Sequence, residues 1–194
     1  VLIDRFTNQT YEAIPEETAY IVTDMLRSAI DYGSGAGARA RFNFQRPAAG
    51  KTGTTQDYAD AWFVGYTPQL AAGAWVGFDD QRISFTGDYG QGARAAMPVW
   101  AIFMHDVYEQ LQLPVEDFTP PASGNVVPVR FCKESIYELG DPRLYSNDCR
   151  TGVLIDIMNI KDMPSTFDAY RDTTMRISNR YSVRDTTHEA KEIR

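Results

Sequence analysis

Two cysteines and two histidines are all that these 194 residues offer by way of thiol or imidazole ligands. Cys132 and Cys149 are too far apart to form a metal-ligating pair, and His105 and His188 lie far from them in sequence, so no metal site and no cofactor are read here. No apolar run reaches the roughly 20 residues that a membrane span needs. Positive charge is also scarce: 19 Lys and Arg stand against 26 Asp and Glu, for a net charge of −7, which argues against nucleic acid as a partner. The deficit is local, since residues 1–118 hold 8 basic and 15 acidic side chains while residues 119–194 hold 11 of each. Within the acidic part, Arg39, Arg41 and Arg46 approach Lys51 and read more simply as a solvated strand edge than as a field for an anion. No signal-peptide pattern and no initiating Met stand at Val1-Leu2-Ile3-Asp4, as expected of a piece cut from a longer chain.

What is present suffices for one ordinary domain and an appendage, with 43% hydrophobic and 12% aromatic residues. The two cysteines leave two readings open: free thiols, or one disulfide formed in an oxidising compartment. Residues 1–13 read as a short strand or entry loop. Ile14-Pro15-Glu16-Glu17 starts a helix, with Pro in the first turn and acids at the positive end of the dipole. Val22, Met25, Leu26 and Ala29 supply its expected core face, and Gly33 stops it. Gly33 to Gly37 reads as a connector in preference to a glycine loop beside the Lys51 strand. Strands follow at about Arg46–Thr54, Ala61–Tyr66 and Leu70–Phe78; Thr67-Pro68-Gln69 makes the last two antiparallel neighbours.

Both of those strands read as central, and Trp62 and Trp75 as core. Adjacent Asp79 and Asp80 face opposite ways and read as a solvated strand end. Gly87–Gly92 is a polar loop. A second helix starts at Pro98 and is expected to bury Val99, Ile102, Phe103, Val107 and Leu111. Pro120-Pro121-Ala122-Ser123-Gly124 is a linker signal, dividing 1–118 from an extension at 119–194. In the extension, Phe131–Cys149 reads as a small unit, Val153–Met158 as one strand, and the stretch from Lys161 onward as a tail.

The chemistry concentrates in Ala49-Gly50-Lys51-Thr52-Gly53-Thr54-Thr55. Gly50-Lys51-Thr52 mimics the end of a phosphate-binding loop, but that motif needs Gly at position 45, where Gln45 stands, and a helix after the Lys. Gly53 and two threonines start helices poorly, and aromatic and β-branched residues follow. A cation, three hydroxyls and a glycine on one strand are instead suited to holding a carboxylate beside a reacting carbonyl. His105, in a packing helix, is no candidate base. Ser34 and Ser84, the serines nearest the motif, lack a basic partner in sequence.

That strand, followed by Asp60-Ala61-Trp62-Phe63-Val64-Gly65-Tyr66-Thr67-Pro68 and Ala74-Trp75-Val76-Gly77-Phe78-Asp79-Asp80, closely resembles the transpeptidase domain of class A penicillin-binding proteins. The helix through Asp24-Met25-Leu26-Arg27 and Ala96-Met97-Pro98-Val99-Trp100 are similar to it too. The resemblance covers about residues 1–118 and implies the C-terminal half of an α+β domain, an antiparallel sheet flanked by helices as in penicillin-binding proteins and serine β-lactamases. The family's Ser-x-x-Lys and Ser-x-Asn are both read as absent and expected to lie ahead of Val1; no serine has Lys three residues on.

The resemblance implies a D,D-transpeptidase acting on peptidoglycan stem peptides and binding β-lactam antibiotics. Its parent would be membrane-anchored on the extracytoplasmic face, with cell-wall synthesis partners. Lys51 would place a charge near the substrate carboxylate and aid proton movement; the hydroxyls of Thr52 and Thr54 would bind that carboxylate. The Thr54 N–H would be an oxyanion donor, Gly53 would let substrate lie along the strand, and Thr55 would touch the ligand's edge. Without its nucleophile this polypeptide alone is expected to be inactive. A non-catalytic peptide- or partner-binding remnant is the alternative, whereas the aromatic pattern disfavours a β-lactamase.

Overall fold

The computed structural model describes residues 11–80 and 82–168, and the chain divides into two compact units between Pro121 and Ala122. Most of the strand or loop expected at residues 1–13 lies outside the described residues.

In the first unit, helix α1 spans Glu16–Asp31, with Pro15 at its N-cap and Glu16 and Glu17 in its first turn. Its buried residues are Thr23 and Ile30. The stripe expected from Val22 and Met25 is exposed, so the face is rotated by one residue. Thr23 takes the inward place, where its hydroxyl meets the hydroxyl of the partly buried Tyr66 at 2.9 Å and both polar ends are satisfied. The glycine connector is not bare: helix α2, Gly37–Ala40, forms inside it, and Ala38 is fully buried.

A three-stranded antiparallel sheet follows in the order β1 (Ala49–Thr54), β2 (Asp60–Tyr66), β3 (Ala71–Gly77). The Thr67–Leu70 turn closes β2 to β3 as expected, with the Thr67 hydroxyl receiving the N–H of Leu70 at 3.0 Å. β2 is central. β3, expected to be central as well, is an edge among the described residues.

On β2, Ala61, Phe63 and Gly65 point into the core, while Trp62 and Val64 point out. Strict alternation then places Trp75, the partner of Trp62, on the outer face as well. Both indoles are 45% exposed and tilt against each other at 6.2 Å rather than entering the core.

Helix α3, Ala96–Leu111, covers the inner face, with Pro98 in its first turn. It buries Met97, Trp100, Ala101, Met104 and Tyr108; Val99, Ile102, Phe103 and Leu111, expected inside, are exposed. Both sets have helical spacing, so periodicity could not choose between them. Polar tips decide it. Trp100 Nε1 donates to the Gly65 carbonyl at 3.2 Å, and the Tyr108 hydroxyl meets Thr67 Oγ1 at 2.5 Å and donates to Gln69 Oε1 at 2.8 Å. Trp100 is 1% exposed between Phe44 and Phe63, with ring centroids 5.2 and 5.0 Å away, and is the centre of the core. Gly65 makes this possible, since a Cβ there would lie 2.8 Å from the indole.

The second unit pairs β4 (Val126–Cys132) antiparallel with β5 (Val153–Asn159). Helix α4, Lys133–Tyr137, follows β4 directly, and a Cys132–Cys149 disulfide settles the thiol question. The expected tail is tied in through residue 168: Leu144 bridges Thr166, and Phe167 is only 2% exposed. The rest of that tail lies outside the described residues.

Candidate active site

The Lys51–Thr55 segment lies on β1, which among the described residues is a border strand that pairs with β2 on one side only. Its last backbone bond to the neighbouring strand runs from Thr55 N–H to the Asp60 carbonyl, at 3.1 Å. Bonded and non-bonded pairs alternate along an antiparallel ladder, so the Thr54–Ala61 and Thr52–Phe63 pairs are of the non-bonded kind. The N–H and C=O groups of Thr52 and Thr54 therefore point off the open edge. Lys51 Nζ donates to the Thr52 carbonyl at 3.0 Å and to the Thr52 hydroxyl at 3.2 Å, which puts the ammonium at that edge.

The side chains of Thr52 and Thr54 share one face, and the two hydroxyls have different neighbours. Thr52 Oγ1 is 2.8 Å from Ser34 Oγ, so the glycine connector does border the site, through a residue whose sequence context gave it no role. Thr54 Oγ1 accepts the Gly92 N–H at 3.0 Å. An ammonium cannot accept, so the Thr52 oxygen receives at least one proton from Lys51. The result is an edge with one cation and three hydroxyls, whose donors can re-aim toward an anion.

Gly53 carries no side chain on the face shared with Lys51, and a Cβ there would sit 3.1 Å from the Cβ of Trp62. Thr55 behaves differently from its neighbours. Its hydroxyl accepts the Asp60 N–H at 2.8 Å and faces the Asp60 carbonyl at 3.3 Å, closing the turn into β2. That turn holds Asp57 and Tyr58 at φ values of 58° and 56°.

Ser84 has no hydrogen bond to the motif among those described, and His105 is half-exposed beside Asp106 at 3.5 Å. One Ser-x-Asn triplet, Ser123-Gly124-Asn125, does occur, but in the second unit and after Lys51 in the chain. There the Ser123 hydroxyl accepts the Asn125 N–H at 3.3 Å in a turn where Gly124 has φ 68°, which is local turn chemistry. Among the described residues no group of three or more His, Cys, Asp or Glu converges on a metal position, and no helix is long and apolar enough to cross a membrane.

Residues 5–95 match the family model for the penicillin-binding protein transpeptidase domain. Penicillin-binding protein 1A of Aquifex aeolicus is 39% identical over 116 residues, covering 60% of this chain and 15% of that protein. The Pseudomonas aeruginosa protein of the same name is 40% identical over 101 residues, covering 49% of this chain and 12% of that protein. The chain therefore spans less than a fifth of the curated relatives it matches.

The crystal structure of penicillin-binding protein 1A from Haemophilus influenzae superposes with a TM-score of 0.62 at 23% identity, over 78% of this chain and 22% of that one. At that identity the likeness speaks for the fold, and the fold is the expected one: antiparallel sheet with helices. Family model, relatives and fold thus agree that residues 5–95 of this chain are similar to the penicillin-binding protein transpeptidase domain.

Proposed function

We propose that this chain forms the carboxylate-binding and oxyanion-stabilising wall of a peptidoglycan D,D-transpeptidase whose nucleophile lies outside these 194 residues. The observation that supports this best is the edge geometry. The Thr54 N–H points off the open side of β1, at the strand where Lys51 Nζ and the hydroxyls of Thr52 and Ser34 gather. An extended peptide laid along β1 would pair with this edge as an added strand, its terminal carboxylate meeting the hydroxyls and the ammonium.

In the reaction, a serine oxygen attacks the carbonyl carbon between two D-alanines. The carbonyl oxygen becomes an oxyanion, and the Thr54 N–H is one of its donors. The C–N bond then breaks, the leaving D-alanine amine takes a proton, and the amine of a neighbouring stem peptide later takes the acyl group. Lys51 holds positive charge near the carboxylate throughout. A β-lactam would enter the same path and stop at the acyl-enzyme. The Cys132–Cys149 disulfide supports an extracytoplasmic, oxidising location.

The test is fluorescent-penicillin labelling followed by a denaturing gel. The longer protein containing this segment is expected to label, and Lys51→Ala to slow labelling on the order of 100-fold, the scale of losing one preorganised electrostatic contact. The 194-residue chain alone is expected to stay dark. Undiminished labelling of Lys51→Ala would refute the role given to this edge.

A further inference from the structure

We infer that Gly92, in the loop leading into α3, is the positioning residue that aims the Thr54 hydroxyl; this rests on the carboxylate-binding role proposed for Thr54. Two independent features meet at Gly92. The first is steric. Gly92 is buried against the backbone of β1 and β2, and a Cβ built there would come within 3.0 Å of the carbonyl oxygens of both Gly53 and Trp62. Only a bare Cα allows the α3 lead-in to lie directly on the Lys-Thr-Gly strand.

The second is polar. The Gly92 N–H donates to Thr54 Oγ1 at 3.0 Å, while the Gly92 carbonyl accepts from Met97 N–H at 2.8 Å and from Ala96 N–H at 3.2 Å in the first turn of α3. The carbonyl in the same peptide unit as this N–H, that of Gln91, accepts from the Arg94 N–H at 2.8 Å and the Ala95 N–H at 2.9 Å, so that unit is polarised from both ends, and bonds in such a chain strengthen one another.

The consequence concerns the direction of one proton. A hydroxyl has a single hydrogen and can accept elsewhere. With Gly92 N–H occupying the acceptor side of Thr54 Oγ1, the Thr54 hydrogen is free to be donated to an incoming anion. A neutral acceptor gains less from that donor than a carboxylate does. Gly92 therefore contributes to the preference for a free carboxylate through Thr54, without touching the ligand itself.

The experiment measures second-order acylation of the longer protein by a penicillin and by its methyl ester. Thr54→Val and Gly92→Ala are each expected to lower the rate with the free acid about tenfold and to narrow the acid-to-ester ratio, as expected for loss of one hydrogen bond to a charged group. The double variant is expected to lose about tenfold, not a hundredfold, because both changes remove the same donor. Multiplying effects, or an unchanged acid-to-ester ratio, would overturn the inference.

Should Gly92→Ala fail to fold, amide exchange gives an independent reading. The Gly92 N–H is expected to be protected in the unaltered protein and to exchange faster in Thr54→Val, which keeps the side-chain shape. Equal protection in both also overturns it. Loss of labelling in Lys51→Ala combined with multiplying Gly92 and Thr54 effects defeats the positioning role alone; full labelling of Lys51→Ala defeats the function beneath it.

Discussion

Reducing the Cys132–Cys149 bond should loosen the second unit and leave the first untouched. The bond joins the last residue of β4 to a loop 17 residues further on, just ahead of β5. In the chain-entropy model, closing a loop of that length removes about 10 cal/mol/K from the unfolded ensemble, or about 3 kcal/mol at 25 °C. That is a large share of what a small two-stranded unit can have, since strand pairs of this size are marginal without further support. Cys132 is fully buried, so reduction also leaves a thiol in the core, at little cost because it packs as a small apolar group.

The assay is amide hydrogen exchange on the chain with and without reductant, read at the ladder from Val129–Asp156 to Phe131–Leu154. A loss of about 3 kcal/mol corresponds to faster opening by about two orders of magnitude at those amides. The ladder between β1 and β2 should not change, because no cysteine lies in that unit. Exchange in β4 and β5 that ignores the reductant would refute the reasoning, as would an equal acceleration in both sheets.

Core packing gives a second expectation: Trp100→Ala should cost about 3–5 kcal/mol by thermal or denaturant unfolding, whereas Trp62→Ala, at a half-exposed position, should cost less than half of that. Asp80 offers a third. The Arg82 guanidinium, helped by the Arg82 N–H, holds its carboxyl below the ordinary 3.8. A depressed folded value means that the contribution to stability is present above the ordinary value and is lost as pH falls through the folded one. Carbon-detected NMR titration should find Asp80 below 3.8 in the unaltered protein and shifted upward in Arg82→Ala; identical midpoints would remove the ion pair from the account.

Local chemistry that has a single solution was legible in the sequence. The Lys-Thr-Gly strand, the Thr67–Leu70 turn and the first helix could be located, because each is written in residues with few alternatives: β-branched runs, a Pro in a turn, acids at a helix start. Helix faces were not legible. Residues 96–111 carry two apolar stripes of equal quality, and the choice between them lies in tertiary partners, the Gly65 carbonyl for Trp100 and the Thr67 and Gln69 side chains for Tyr108. Trp62 and Trp75 misled for a related reason, since size alone suggested burial while alternation along β2 fixed them outside. At the site, the hydrogen bonds that Ser34 and Gly92 make to the motif were not legible, because they span 18 and 38 residues of chain.

The clasp of Tyr108 on the β2–β3 turn has a mechanical meaning. It pins the far end of the sheet to the last turns of α3, while the lead-in to the same helix bears on the opposite end, beside Thr54. One rod thus spans the sheet and is fastened at both ends. A shift at either fastening would tilt the rod, and so a change in the remote turn would reach the strand that carries Thr54 as a displacement rather than as a lost contact.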